Sequence, residues 1–89
     1  MIFDAIKIKD VKIDIGETIR LMRKQNGLSQ QQLAELLNIS RITVQNLEAG
    51  KNFTIDTLLK VLQHFDKLRQ LKNEITQVKI NIEDAKSLY

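Results

Sequence analysis

The chain has no cysteine, no proline and only three glycines in 89 residues. Without cysteine there is no disulfide framework and no cysteine-based zinc site, a composition that fits a reducing cytoplasm. The absence of proline and the scarcity of glycine favour a mainly helical protein. No stretch approaches the roughly 20 apolar residues of a membrane span. The first residues also lack the basic region and long apolar run of a signal peptide. A soluble, cytoplasmic chain with no membrane partner is therefore expected. Net charge is low as well: 14 basic against 11 acidic side chains leave +3. That excess is compatible with a nucleic-acid partner but too mild to establish one, so the placement of charge has to carry the argument. The length allows one small domain with a single modest core, plus extensions.

What the chain does have is a pair of short helical patterns joined by a tight turn, in Ser29–Lys51. Leu33, Ala34 and Leu37 fall on one helix stripe, and Val44 and Leu47 repeat the spacing in the next segment. Ser29 with Gln32 three residues later is a capping box that starts the first of these helices. Asn38 stands where the turn needs a left-handed backbone, which Asn tolerates better than most residues. Ser40 can cap the second helix. Two helices with this join form a helix-turn-helix.

Around that pair the glycines act as punctuation. A helix is expected from Gly16 to Asn26, with Ile19 and Met22 inward, Gly27 as its C-cap and Leu28 as the accompanying apolar contact. Gly50 closes the third helix. Thr54 opens a fourth, in which Leu58, Leu59, Val61, Leu62 and Phe65 form a broad apolar face.

These residues resemble the lambda-repressor/Cro-type, or Xre, family of helix-turn-helix DNA-binding proteins. The features in common are Gln30 at the start of the first motif helix, Ala34, the turn Asn38-Ile39-Ser40, the core positions Val44 and Leu47, and the ending Leu47-Glu48-Ala49-Gly50-Lys51. The family usually has glycine where this chain has Asn38. The likeness runs from Ile15 to about Phe65. It implies an all-α, five-helix, lambda-repressor-like domain over residues 15–65, with an N-terminal extension (1–14) and a C-terminal helical extension (66–89).

Both extensions are read on their own residues. Ile6 and Ile8, then Val11, Ile13 and Ile15, alternate with polar residues, with one extra residue at Lys9-Asp10. The pattern suggests a short N-terminal β-strand with a bulge, or two short strands, pairing with the same segment or with Lys79–Ile82 across a dimer. A frayed terminus is the bland alternative. At the other end, Leu68, Leu71, Ile75, Val78, Ile82, Ala85 and Tyr89 are spaced as a heptad, whereas Val78, Ile80 and Ile82 alternate as in a strand. The heptad explains seven positions and the strand three, so a helix is expected from about Asp66 to Val78. It packs on its own domain or forms an intermolecular seam.

The chemistry expected of the motif is DNA recognition. With Val44 and Leu47 inward, the third helix exposes Arg41, Ile42, Thr43, Gln45 and Asn46 near its N-terminus. Arg can pair with guanine, Gln or Asn with adenine, and Ile42 or the Thr43 methyl can touch a thymine methyl. By resemblance, Arg41, Ile42, Thr43 and Asn46 hold the base-reading positions and Gln45 lies nearer the flanking phosphate. Gln30, and Lys51, Asn52 and Thr54 after the third helix, take phosphate-contact positions. The plain alternative is a solvated polar helix face with an ordinary lysine at its end. Resemblance also implies a salt bridge from Arg23 to Glu48.

His64, the single histidine, reads as a surface or capping residue. No nucleophile–base pattern, glycine-rich phosphate loop or metal-spaced cluster is present, so neither enzymatic activity nor a cofactor nor a metal is expected. The expected function is a DNA-binding transcriptional regulator, a homodimer on a two-fold operator in duplex DNA. Two alternatives stand beside it: the DNA-binding antitoxin of a toxin–antitoxin pair, whose extensions bind the toxin, and an adaptor or coactivator using the same fold for protein contacts.

Overall fold

The computed structural model describes residues 5–87, which form five α-helices and no strand. They are α1 (Ile8–Gln25), α2 (Gln30–Leu37), α3 (Arg41–Glu48), α4 (Ile55–His64) and α5 (Leu68–Ser87). The four turns between them share one device. Each carries a residue with positive φ: Gly27 (68°), Asn38 (55°), Gly50 (70°) and Asp66 (60°). The next N–H then reaches back to a carbonyl five residues earlier, as in Leu28 to Arg23 (3.1 Å), Ile39 to Ala34 (3.0 Å), Lys51 to Asn46 (2.9 Å) and Lys67 to Leu62 (2.7 Å). This is the Schellman stop, which satisfies the last carbonyls of a helix and turns the chain sharply. The following helices start on Ser29, Ser40 and Thr54, whose side chains accept from the N–H groups of Gln32, Thr43 and Thr57.

Ile19, Met22, Leu33, Ala34, Val44, Leu47 and Val61 form the buried core. Each large aliphatic side chain withdrawn from water contributes about 1.5–3 kcal/mol. The expected inward residues of α1, α2 and α3 are among them, except Leu37, which is half-buried against the cluster. Ile39 and Phe53, which carry no periodic signal because they lie in turns, also pack against the core.

At the N-terminus the structure departs from the sequence expectation. The strand over residues 1–14 is not formed where the chain is described: α1 begins at Ile8, eight residues before Gly16, and residues 1–4 lie outside the description. Alternation over so short a window also fits a helix, because Ile8, Val11, Ile15, Ile19 and Met22 recur at spacings of three and four. Tertiary contact decides between the two periods. The Lys12–Ile13 backbone lies against Gly50, where an added Cβ would come 3.1 Å from Ile13. Gly16, expected at the start of the helix, sits inside it.

At the C-terminus α5 runs unbroken to Ser87, so the heptad reading holds well past Val78, the strand at Val78–Ile82 does not form, and Tyr89 lies outside the described residues. Its N-terminal half borders both α4 and α1: Leu71 shares a groove with Ile15, Thr18, Leu58 and Leu62, and Ile75 and Lys79 line another with Leu59. The remainder projects, which is why the radius of gyration is 15.9 Å and the longest extent 52 Å. A compact chain of this length would have a radius of gyration of about 12 Å.

Candidate nucleic-acid interface

The packing of α3 decides what this surface can offer. Val44 and Leu47, both 0% exposed, hold α3 against α1 and α2. At 100° per residue, Ile42 and Asn46 then lie opposite the core line, one turn apart. Ile42 is 67% exposed, an isoleucine held in water on an otherwise polar face. Arg41 is exposed at the first position of the helix, while Gln45 and Asn46 are half-buried. Turned with its oxygen toward the guanidinium, the Gln45 amide accepts from Arg41 Nε at 3.2 Å and Nη2 at 3.3 Å. Gln45 is thus placed to brace Arg41. The Thr43 hydroxyl is engaged in the helix cap, 2.7 Å from Ser40 Oγ, so its methyl is the group left to touch another molecule.

The turn into α3 is equally determined. Asn38 in the left-handed region, Ile39 packed on the core and the Ser40 cap together set the angle between α2 and α3. Of the reading face Thr43 joins that cap through its hydroxyl, whereas the exposed Arg41 and Ile42 can vary while the geometry stays.

Beneath α3 lies a buried polar network. Arg23, 8% exposed, donates from Nε to Glu48 Oε2 at 2.6 Å, from Nη2 to Glu48 Oε1 at 2.9 Å and from Nη1 to the Leu28 carbonyl at 2.9 Å. The hydrogen bond to Glu48 raises the Arg23 pKa above its ordinary value, against the opposing effect of burial. Gln30 Nε2 donates to the same Glu48 Oε1 at 3.1 Å. The pair implied by resemblance is present, and it ties α1 to the last turn of α3. Gln30 belongs to this network as well as to the N-terminus of α2.

The remaining expected phosphate residues gather at the loop after α3. Lys51 and Asn52 are exposed there, and the Thr54 hydroxyl caps α4 by accepting from the Thr57 N–H at 3.2 Å. One residue that sequence reasoning missed joins them: Lys12 Nζ donates to Asn52 Oδ1 at 3.0 Å. Forty positions separate the two residues, and no local pattern links them. Only the extension of α1 before Gly16 carries Lys12 there, so the strand reading of residues 1–14 also hid a lysine of this surface. Elsewhere, His64 is exposed beside Phe65, with ring centroids 5.0 Å apart. Among the described residues no cluster could hold a metal, and no helix is long and apolar enough to cross a membrane.

Comparison with known proteins agrees with this geometry. Residues 19–71 match a family described as helix-turn-helix. A protein of Methanocella arvoryzae carrying the name of an HTH-type transcriptional regulatory protein is 41% identical over 56 residues, 63% of this chain and 17% of that protein. The competence pilus inhibition repressor of Acinetobacter baylyi is 38% identical over 50 residues, 56% of this chain and 46% of that protein. Antitoxin HipB of Escherichia coli is 34% identical over 53 residues, 58% of this chain and 60% of that protein. The chain thus spans between about a sixth and three fifths of the length of these relatives.

Proposed function

Given that the chain belongs to the helix-turn-helix family of lambda-repressor (Xre) type, we propose that it is a sequence-specific DNA-binding transcriptional regulator, acting as a cytoplasmic homodimer on a two-fold operator, without catalytic activity of its own. The observation that carries this reading is the division of α3. Its core line is fully buried, while Ile42 and Asn46 face away from that line and Arg41 stands exposed at its side, at the end of the helix that meets base edges in this docking mode.

Arg41 pairs with a guanine, Asn46 with an adenine, and Ile42 and the Thr43 methyl lie against thymine methyls. Gln30, Gln45, Lys51, Asn52 and Thr54 hold phosphate, and Lys12 adds a second lysine to the clamp after α3. Two copies related by a two-fold axis read half-sites about one helical turn apart.

Selection of bound sites from random duplex DNA identifies the operator, and two variants then test the roles on it. Arg41→Ala is expected to weaken operator binding by about five- to 150-fold, since one good bidentate pair is worth about 1–3 kcal/mol. Its melting temperature stays unchanged, because the side chain supports no part of the core. Lys12→Ala is expected to weaken operator and random DNA alike and to lower the slope of log affinity against log salt by about 0.9, one phosphate contact. A wild-type slope in Lys12→Ala removes that lysine from the interface. If the unaltered chain binds no duplex at low salt, the regulator reading falls and the adaptor reading takes its place.

A second reading is favoured by one relative. The likeness to Antitoxin HipB covers three fifths of that protein, more than for the other two, and supports a DNA-binding antitoxin whose extensions hold a toxin. A toxin gene adjacent to this one, and a stable complex between the two products, would select that reading.

A further inference from the structure

Arg41 and Gln45 are one turn apart on α3 and share one flank of it, between the buried line of Val44 and Leu47 and the outward Ile42 and Asn46. A guanidinium carries five N–H donors in a fixed fork. The Gln45 oxygen accepts from two of them, at Nε (3.2 Å) and Nη2 (3.3 Å). Those two donors lie along one edge of the fork. What stays free is its far end, where one N–H of Nη1 and one of Nη2 run parallel. That pair matches guanine, whose N7 and O6 both accept, and not adenine, which offers one acceptor and one donor. Gln45 is half-buried, whereas Arg41 is exposed, so the more anchored side chain holds the freer one. With its oxygen turned to Arg41, the Gln45 amide directs its own two N–H donors elsewhere.

We propose that Gln45 is the positioning residue of Arg41. Its amide oxygen holds the guanidinium so that the Nη1–Nη2 end meets guanine, and its amide nitrogen donates to the flanking phosphate. The proposal rests on the operator reading above and adds to it the residue that aims the arginine. Its effect on specificity follows from side-chain entropy. Pinning one long side chain on binding lowers affinity by about two- to tenfold. At a guanine Arg41 has to be pinned, and the brace has already done so in the free protein. At another base Arg41 makes no such pair, so the brace brings no gain there. It therefore raises the preference for guanine rather than affinity for all DNA. The phosphate contact does the opposite and strengthens every sequence alike. One amide carries both effects, and its two ends can be changed separately.

The test uses the full-length chain and compares the selected operator, random duplex, and operators with each other base at the position where Arg41→Ala loses its preference for guanine. Gln45→Glu keeps an acceptor for Arg41 but turns the phosphate donor into a charge that repels phosphate. It is expected to keep the guanine preference of the parent and to weaken operator and random DNA alike. Gln45→Lys keeps a phosphate donor but repels Arg41. It is expected to hold or raise affinity for random DNA and to lower the guanine preference by about two- to tenfold. Gln45→Met retains the stem and is expected to lose on both counts. An undiminished guanine preference in Gln45→Lys and Gln45→Met overturns the brace and leaves Arg41 as the reader. Equal loss of that preference in all three variants also overturns it, because a side chain that only shapes the helix does not distinguish acceptor from donor. A Gln45→Glu protein that binds random DNA as tightly as the parent overturns the phosphate contact. If Arg41→Ala loses guanine preference at no position, the Arg41 reading itself falls, and the proposal with it.

Discussion

Glu48→Ala is expected to lower folding stability by about 3–5 kcal/mol, the usual result of removing one partner from a buried ion pair. The Arg23 guanidinium would keep only the Leu28 carbonyl of its three hydrogen-bonded directions. It would remain charged, because it is held beneath the surface and an arginine does not deprotonate in response. Gln30 loses its partner in the same step. Small domains are stable by only about 5–15 kcal/mol, so much of the variant population can be unfolded at physiological temperature. Urea and thermal unfolding followed by helix circular dichroism measure the loss. Replacing both charges, as in Arg23→Met with Glu48→Met, is expected to recover much of it, because the cost lies in the orphaned charge more than in the absent pair. Matching melting curves for Glu48→Ala and Arg41→Ala would show that the structural and reading residues of α3 had been wrongly separated.

The second large effect is expected at Gly16, where the sign itself is diagnostic. In a free helix alanine would be better than glycine by about 1 kcal/mol. Here an added Cβ would lie 2.5 Å from the Glu48 carbonyl oxygen and 2.7 Å from that of Leu47. Both atoms are backbone, so relief requires α1 and the last turn of α3 to move apart. Gly16→Ala is therefore expected to destabilise by about 1–3 kcal/mol or more, the range for overpacking a well-filled contact. It should also weaken operator binding, because the Glu48 network and the Lys51–Asn52 loop both hang from that turn. A variant that melts higher than the parent would mean that α1 does not approach α3 this closely.

Gly16 shows how a local reading falls short. As sequence it looks like the punctuation before a helix, since glycine in a helix interior is locally unfavourable. Its place inside α1 follows from a contact with residues more than 30 positions away, which no window contains. The strand pattern of Ile6 to Ile15 fails for the same reason: five residues of alternation are compatible with either period until Gly50 and Asn52 lie beside the helix. Lys12 was invisible as a site residue because its role depends on that same contact. By contrast Ser29, Asn38, Ser40 and Thr54 could be placed from sequence, because a cap or a left-handed turn is a transaction between residues three to five apart.

For this protein the sequence by itself determined the helix-turn-helix, its boundaries, most of its inward residues and the exposure of Arg41 and Ile42 on α3, all consequences of short-range periodicity and capping. Thr43, Gln45 and Asn46, expected to be exposed, are half-buried. The tertiary structure alone decided how far α1 extends, which lysine stands beside Asn52, that Gln30 is shared with a buried ion pair, and how much of α5 is left uncovered. Those outcomes depend on which distant backbones come within a few ångströms of one another, and that is set by the packing of α1 across α3 rather than by the preferences of any single segment.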